Sequence, residues 1–433
     1  MSAEWVGLLV LALLLLFLFL GIPVAFSLGL AATVATLVFL GPAQLINLAY
    51  VAFEKGSDNV FIVAPLFIFM AALVAHSGIA EQAFQATYRW LNRLPGALAA
   101  ASIASCAAFA AVSGSSPATA ATIGYSAIPA MLRHGYDKRL AVGAVAAGGT
   151  LGILIPPSVT MILYGIITET SIARLFIAGI VPGVILSGLL IGFTSLWASV
   201  RPGSAPPAPR FGWRERLESV RGLWAIAVLF LGVMGALYLG IATPAECAAI
   251  GAGGAFFLCL FTGRLTWGRV LNAASEAAEI TAMVLFLLFG GFSLSYVIGA
   301  LGVSRSLSEA IVGTGASAWV LVTAYMVLLL LLGSIMDPAA MMVLTLPVLY
   351  PVFSRLGVDP VWLGVLVTVN SEIGMITPPF GLNLFVLKAI VPEDVALSDI
   401  MMGSLPYVAV LMMGLILFMC FPDVVLWLPG RAG

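Results

Sequence analysis

Apolar runs long enough to cross a bilayer recur along the chain from residue 5 to residue 428, separated by short polar or Gly/Pro-containing breaks. They fall at about residues 5–20, 24–40, 61–76, 97–112, 117–131, 139–165 and 175–199. A polar stretch follows, RPGSAPPAPRFGWRERLESVR at 201–221, whose Pro and Arg content reads as an exposed linker. The order then recurs at 222–240, 246–262, 280–300, 317–333, 338–354, 361–388 and 404–421. This pattern predicts an all-α polytopic membrane protein built from two halves, 1–200 and 222–433.

The segment that organises these runs is SGSSPATAATIG, 113–124, where hydroxyl and small residues interrupt the apolar pattern at membrane depth. Gly114 lets the backbone leave helical geometry and Pro117 suits the first turn of a new helix, so the segment reads as helix, tip, helix. Three further breaks share this makeup: GGTLGILIPPS at 148–158, GSIMDPA at 333–339 and NSEIGMITPPFGLN at 370–383. In hydrocarbon, unpaired N–H and C=O groups are tolerated only where protein or a water-filled cavity surrounds them, so the breaks point to an internal binding site. Helix kinking or close packing would account for any one Gly or Pro. It does not account for hydroxyls recurring at breaks that match between the halves.

That match can be tested at a fixed offset of 222 residues. Pro129 then meets Pro351, Arg133 meets Arg355, Gly135 meets Gly357, Asp137 meets Asp359, Gly152 meets Gly374, and Pro156 with Pro157 meets Pro378 with Pro379. One gap brings Pro117 against Pro338. Each half then holds a re-entrant hairpin (97–131 or 317–354) and five full crossings, one of them a broken helix (139–165 or 361–388). Five is odd, so the second repeat is expected to lie inverted relative to the first. Inverted repeats with discontinuous helices are the pattern of secondary transporters, whose sites lie near the midplane where the repeats meet.

Composition and charge narrow the picture. With 62% hydrophobic and 9% charged residues, the chain lacks the polar surface a soluble multidomain protein needs. The first run, WVGLLVLALLLLFLFLGIPV, has no basic n-region or small-residue cleavage site and is taken as a retained span. If the 201–221 linker is cytoplasmic, 13 of the 18 Lys and Arg collect on that side, Arg210 and Arg216 among them, in line with the positive-inside rule. Both termini then face outward. The net charge of −1 gives no sign of a nucleic-acid partner. Cys106, Cys247, Cys259 and Cys420 have no paired spacing and read as packing residues, while His76 and His134 have no second ligand beside them. Neither a metal centre nor the nucleophile and base of an intramembrane enzyme is suggested, and no organic cofactor.

Asp337 and Glu372 are the acidic residues inside predicted breaks, where an ionisable group is costly and by default functional. Each could instead accept hydrogen bonds from a helix end. Asp58 with Asn59 reads as a surface loop. No Lys or Arg falls at any of the four breaks, so an anion would be held by helix N-termini, neutral donors and bound cations. Exposed carbonyls and hydroxyls are hard oxygen ligands of the kind that suits Na⁺.

At SGSSPATAATIG, GGTLGILIPPS and NSEIGMITPPFGLNLFV the sequence resembles the large membrane subunit of the tripartite ATP-independent periplasmic (TRAP) transporters. The likeness extends to GIPVAFSLGL, ARLFIAGIVPG and TPAECAAIGA and so covers essentially the whole chain. It implies a sodium-coupled, elevator-type importer of an organic acid (a C4-dicarboxylate, sialic acid or another sugar acid) in the bacterial inner membrane, with both termini periplasmic. Its partners would be a periplasmic substrate-binding protein and a separate small membrane (Q-type) subunit, since the chain opens directly on its first span. The resemblance places hairpin tips at Ser113–Pro117 and Gly333–Pro338, and unwound helices at Gly148–Pro157 and Asn370–Pro379. Within and beside these stretches, Ser113, Gly114, Ser115, Gly149, Thr150, Gly333, Ser334, Asn370, Ser371, Glu372 and Thr377 are candidates for Na⁺. Ser116, Pro117, Thr119, Pro156, Pro157, Asp337, Pro378 and Pro379 are candidates for the substrate, with Ser116 able to serve either. A self-sufficient sodium/dicarboxylate symporter of similar inverted-repeat design is the alternative, separated by measuring uptake with and without a binding protein.

Overall fold

The computed structural model describes residues 3–209, 211–313 and 315–431. Arg210, one of the basic residues assigned to the linker, lies outside them. The described residues are helical throughout, without a strand. Five helices are long and apolar enough to cross a membrane. Two bent pairs, Pro42–Gly56 with Asn59–Ala75 and Trp213–Val220 with Trp224–Tyr238, raise the number to seven. Shorter apolar helices such as Ala3–Phe19 and Val24–Ala35 account for further predicted crossings. Large apolar side chains face outward along these spans, among them Phe19, Phe26, Val228, Leu231, Phe257 and Phe261, as a bilayer solvent requires.

The α-helices stop and restart at all four of the predicted breaks. The first hairpin is Ala97–Ser113 and Ser116–Arg133, and the second is Ala318–Gly333 and Pro338–Arg355. The first broken helix is Lys138–Thr150 and Val159–Thr168, and the second is Pro360–Ile376 and Leu382–Ile390. The matched Arg-x-Gly-x-Asp signature has a local cause in each half. Gly135 and Gly357 take φ of +76° and +71°, the left-handed turn that ends a helix. Asp137 then accepts from the Leu140 N–H at 3.1 Å, and Asp359 from Val361 and Trp362 N–H at 2.8 and 2.9 Å, so each starts its broken helix with an N-cap.

The halves interlock by an exchange made twice. Val159–Thr168, beyond the first break, packs on Pro338–Arg355 of the second hairpin, and Leu382–Ile390, beyond the second break, packs on Ser116–Arg133 of the first. The 280–300 run is the C-terminal part of a 34-residue helix, Trp267–Ala300. At 1.5 Å per residue it is about 51 Å long and outreaches a hydrocarbon core of about 30 Å.

Most of the described linker is exposed, as its composition suggests, but part of it is ordered against the first half. Trp213–Val220 is an amphipathic helix docked on a second one, Ile79–Leu91. Arg216 is only 5% exposed and donates through Nη2 to Asn92 Oδ1 at 2.7 Å, while Asn92 Nδ2 donates to the Pro209 carbonyl at 2.7 Å. Trp90 Nε1 donates to the Arg216 carbonyl at 3.1 Å, and the Trp90 and Trp213 rings meet edge to face. At the far end Gly222 passes so close to Ile79–Leu91 that a Cβ there would lie 2.8 Å from the Gln82 carbonyl oxygen. The packing reading also fails for Cys420, which is exposed, whereas Cys106, Cys247 and Cys259 are buried.

Candidate functional site

Each hairpin tip lies against the break of its own half, through contacts only a glycine allows. The Val159 N–H donates to the Gly114 carbonyl at 3.3 Å, which ties the first tip to the end of the first break. Gly114 has φ +63°, and a Cβ on it would lie 2.8 Å from the Pro157 carbonyl oxygen. A Cβ on Gly152 would lie 2.5 Å from the Ser115 carbonyl oxygen and 2.6 Å from Thr119 Oγ1. In the second half Gly374 and Gly333 touch main chain to main chain, with 2.7 Å from a Gly374 Cβ to the Gly333 carbonyl carbon.

The two tips converge on one cavity of about 390 Å³, within the range of small-molecule sites. Ser113, Gly114, Ser115, Ser116 and Pro117 line it from the first tip, and Asp337, Pro338 and Ala339 from the second. Thr160 and Leu163 beyond the first break, Met375 and Leu382 around the second, and Ile68, Ala71, Ala72 and Ala75 of the helix Val63–Ala75 complete much of the wall. Glu276, Ile280, Met283 and Val284 of Trp267–Ala300 close the far side. Among the described residues, no Lys or Arg lines the cavity.

Glu276 lies four residues ahead of the apolar run at 280–300, so no sequence signal marked it as a site residue. Its Oε2 lies 3.1 Å from His76 Nε2, giving His76 the partner that its sequence neighbours do not supply.

The other candidates do not line the cavity. Thr150 donates its hydroxyl proton to the Ala147 carbonyl at 2.7 Å, Ser371 to Val367 at 2.7 Å and Thr377 to Ile373 at 2.6 Å. Thr119 likewise donates to Ser115 at 2.8 Å, and Ser334 to Leu331 at 2.8 Å. A hydroxyl whose proton is spent on a carbonyl keeps its lone pairs for a cation. Gly149 packs directly against Ala120, and Asn370 Nδ2 donates to the Met326 carbonyl of the second hairpin at 2.9 Å. Pro156 and Pro157 are buried, whereas Pro378 is half-buried and Pro379 exposed, so the second break opens outward where the first does not.

The two acidic candidates differ in their surroundings. Asp337 Oδ1 accepts from Ala339 and Ala340 N–H at 2.9 and 3.1 Å, so it caps a helix while lining the cavity. Glu372 is fully buried, and neither of its carboxylate oxygens has a hydrogen-bond partner. Asn383, just beyond the second break, is also fully buried and donates through Nδ2 to Ser116 Oγ at 2.7 Å. Asn383 closes the break motif at 370–383, but the sequence reading did not single it out among the site candidates.

A second cavity of about 720 Å³ lies between Lys55–Val63, the turn at Gly165–Ile172 and the helix start at Thr243–Glu246. Lys55 and Glu169 form an ion pair across it at 3.2 Å. Asp58 caps the turn at its edge, accepting from the Val60 N–H at 3.0 Å.

Comparison with known proteins accords with this architecture. Residues 11–424 match the family described as "Tripartite ATP-independent periplasmic transporter, DctM component". The chain is 35% identical over 409 residues to the C4-dicarboxylate TRAP transporter large permease protein DctM of Pseudomonas aeruginosa, covering 94% of each. It is 34% identical over 412 residues to the isethionate TRAP transporter permease protein DctMQ of Oleidesulfovibrio alaskensis, covering 95% of this chain and 64% of that protein. Among solved structures, the Alcanivorax borkumensis YdaH transporter, reported for its unusual topology, superposes with a TM-score of 0.60 over 95% of this chain and 98% of its own, at 16% identity. That likeness speaks to fold alone. Sequence match, fold and paired breaks agree, and the chain belongs to the DctM-component family of the TRAP transporters, a multi-pass inner-membrane permease and not an enzyme.

Proposed function

We propose that this chain carries an organic acid inward across the membrane in symport with Na⁺, as two inverted repeats whose hairpins and broken helices move as one elevator body. The observation that carries the reading is the convergence of both hairpin tips on a cavity with hydroxyls, a helix cap and no basic side chain. A carboxylate entering such a cavity needs positive charge from elsewhere. The N-termini of Ser116–Arg133 and Pro338–Arg355 supply part of it, and co-bound Na⁺ supplies the rest. The hydroxyls of Thr150, Ser371 and Thr377, the main chain around Gly149 and Gly333, and the unpartnered Glu372 carboxylate offer oxygens for that ion.

The family's transporters are tripartite. We extend this to a periplasmic binding protein that delivers the substrate here and to a separate small membrane subunit. From the distribution of Lys and Arg we infer that both termini lie in the periplasm and the 201–221 linker in the cytoplasm. Uptake of a radiolabelled C4-dicarboxylate or sugar acid into proteoliposomes holding this chain and its small subunit tests the whole reading. Uptake that needs both an inward Na⁺ gradient and the binding protein supports it. Uptake of free substrate without the binding protein favours the self-sufficient symporter, and uptake indifferent to replacing Na⁺ by K⁺ rules out the coupling.

A further inference from the structure

Seven buried side-chain polar atoms among the described residues have no hydrogen-bond partner, and three of them lie on the second broken helix: Glu372 Oε1, Glu372 Oε2 and Asn383 Oδ1. The other four are three hydroxyl oxygens and the Arg216 Nε. Hydroxyls can rotate to donate, and Nε is itself a donor. Asn383 Oδ1 can only accept, and so can the Glu372 oxygens while that carboxyl is ionised. Buried acceptors left empty are costly, and a cation satisfies them without any protein donor.

Asn383 carries the argument further, because its other end is fixed. Nδ2 donates to Ser116 Oγ at 2.7 Å, between two fully buried residues, which leaves Oδ1 as the end of the amide without a partner. The bond runs from the helix beyond the second break to the tip of the first hairpin, the point where the halves exchange contacts. An amide serving structure alone would use both ends. The 222-residue offset sets Met161 opposite Asn383, so the reciprocal contact has no amide and the tie belongs to one half only.

We propose that Asn383 Oδ1 is a ligand for a Na⁺ ion held where the first hairpin tip meets the second break, and that Ser116, by holding Nδ2, keeps that oxygen turned toward the ion. This rests on the sodium-coupled reading above. The hydroxyl of Ser116 acts here as a positioning group.

The test is thermal unfolding of the purified full-length chain in detergent, with NaCl titrated against choline chloride at constant ionic strength and no organic acid present. Asn383→Leu is expected to raise the Na⁺ concentration for half-maximal stabilisation by about tenfold or more, through loss of an oxygen ligand. Asn383→Asp, which keeps the oxygen and adds charge, is expected to lower it severalfold and carries the test if the leucine variant does not fold. Ser116→Ala is expected to fall between Asn383→Leu and the wild type. A wild-type response in Asn383→Leu, or no change in Asn383→Asp, overturns the assignment while leaving sodium coupling intact. A wild-type chain that ignores Na⁺ overturns the sodium reading and this inference with it.

Discussion

Two kinds of residue define the site, glycines that admit main chain and acceptors that lack donors, and they respond to substitution in opposite ways. At Gly374 an added Cβ would lie 2.7 Å from the Gly333 carbonyl carbon, and backbone cannot yield as a flexible side chain does. Gly374→Ala is therefore expected to cost about 1–3 kcal/mol by overpacking. Gly232→Ala, with nothing within 4 Å of its Cβ, should change little; thermal unfolding in detergent of both variants checks the contrast. Glu372→Met should go the other way in Na⁺-free buffer, because an apolar side chain of similar length replaces two buried acceptors that nothing satisfies. The same variant should lose any stabilisation by added Na⁺. If Glu372→Met unfolds earlier than wild type without Na⁺, the carboxylate is structural and leaves the proposed site. The glycines were legible because they sit with Pro and hydroxyls inside apolar runs. Glu276 was not, since it lies outside every break, and Asn383 was not singled out although it closes the motif at 370–383, because an amide at the start of an apolar helix does not show what it faces.

Elements were legible in proportion to how uniformly apolar they are. Both hairpins begin and end within two residues of expectation, since Gly114, Pro117 and Pro338 fix where helix geometry stops and restarts. The helices Leu45–Gly56, Ile79–Leu91, Trp213–Val220 and Val303–Gly313 were missed because each is apolar on one face only, and a search for unbroken apolar runs discards that pattern. The linker shows the cost: its charge was read as exposure, which holds for Arg214, Glu215, Glu218 and Arg221 but not for the buried Arg216. Removing one partner of that contact should hurt unequally. Asn92→Leu strands a buried guanidinium, whereas Arg216→Met replaces it with an apolar chain of similar reach, so the first should loosen the linker more. Limited trypsin cleavage after Arg214 and Arg221 reads this out, with about tenfold faster cutting for each ~1.4 kcal/mol lost in docking. Equal cleavage rates in Asn92→Leu and wild type would show that the contact does not hold the linker down.

For the whole molecule, the repeat could be read from punctuation alone, because turns and caps impose Gly, Asp and Pro at fixed places while the apolar positions between them drift. What the offset could not reveal is that each half completes the other, since pairing between Leu382–Ile390 and Ser116–Arg133 leaves no mark on either sequence. The Lys55–Glu169 ion pair gives the proposed motion a handle. It links the helix Leu45–Gly56 to the turn after the first broken helix, so cysteines at positions 55 and 169, once crosslinked, should arrest uptake, and reductant should restore it. Undiminished uptake in the crosslinked protein means the two segments do not part, and the moving body must be redrawn. The docked linker bears on something different, the order in which the chain is made. The Arg216–Asn92 bond spans 124 residues and encloses the first hairpin, the first broken helix and Ile172–Val200. All of that loop is synthesised before the second hairpin exists, so the linker can close over a finished first half while the ribosome is still extending the second. A chain ending near residue 240 is accordingly expected to protect its linker from trypsin as the full chain does. Assembly would then proceed by closing one half and threading the helix beyond the second break onto it last.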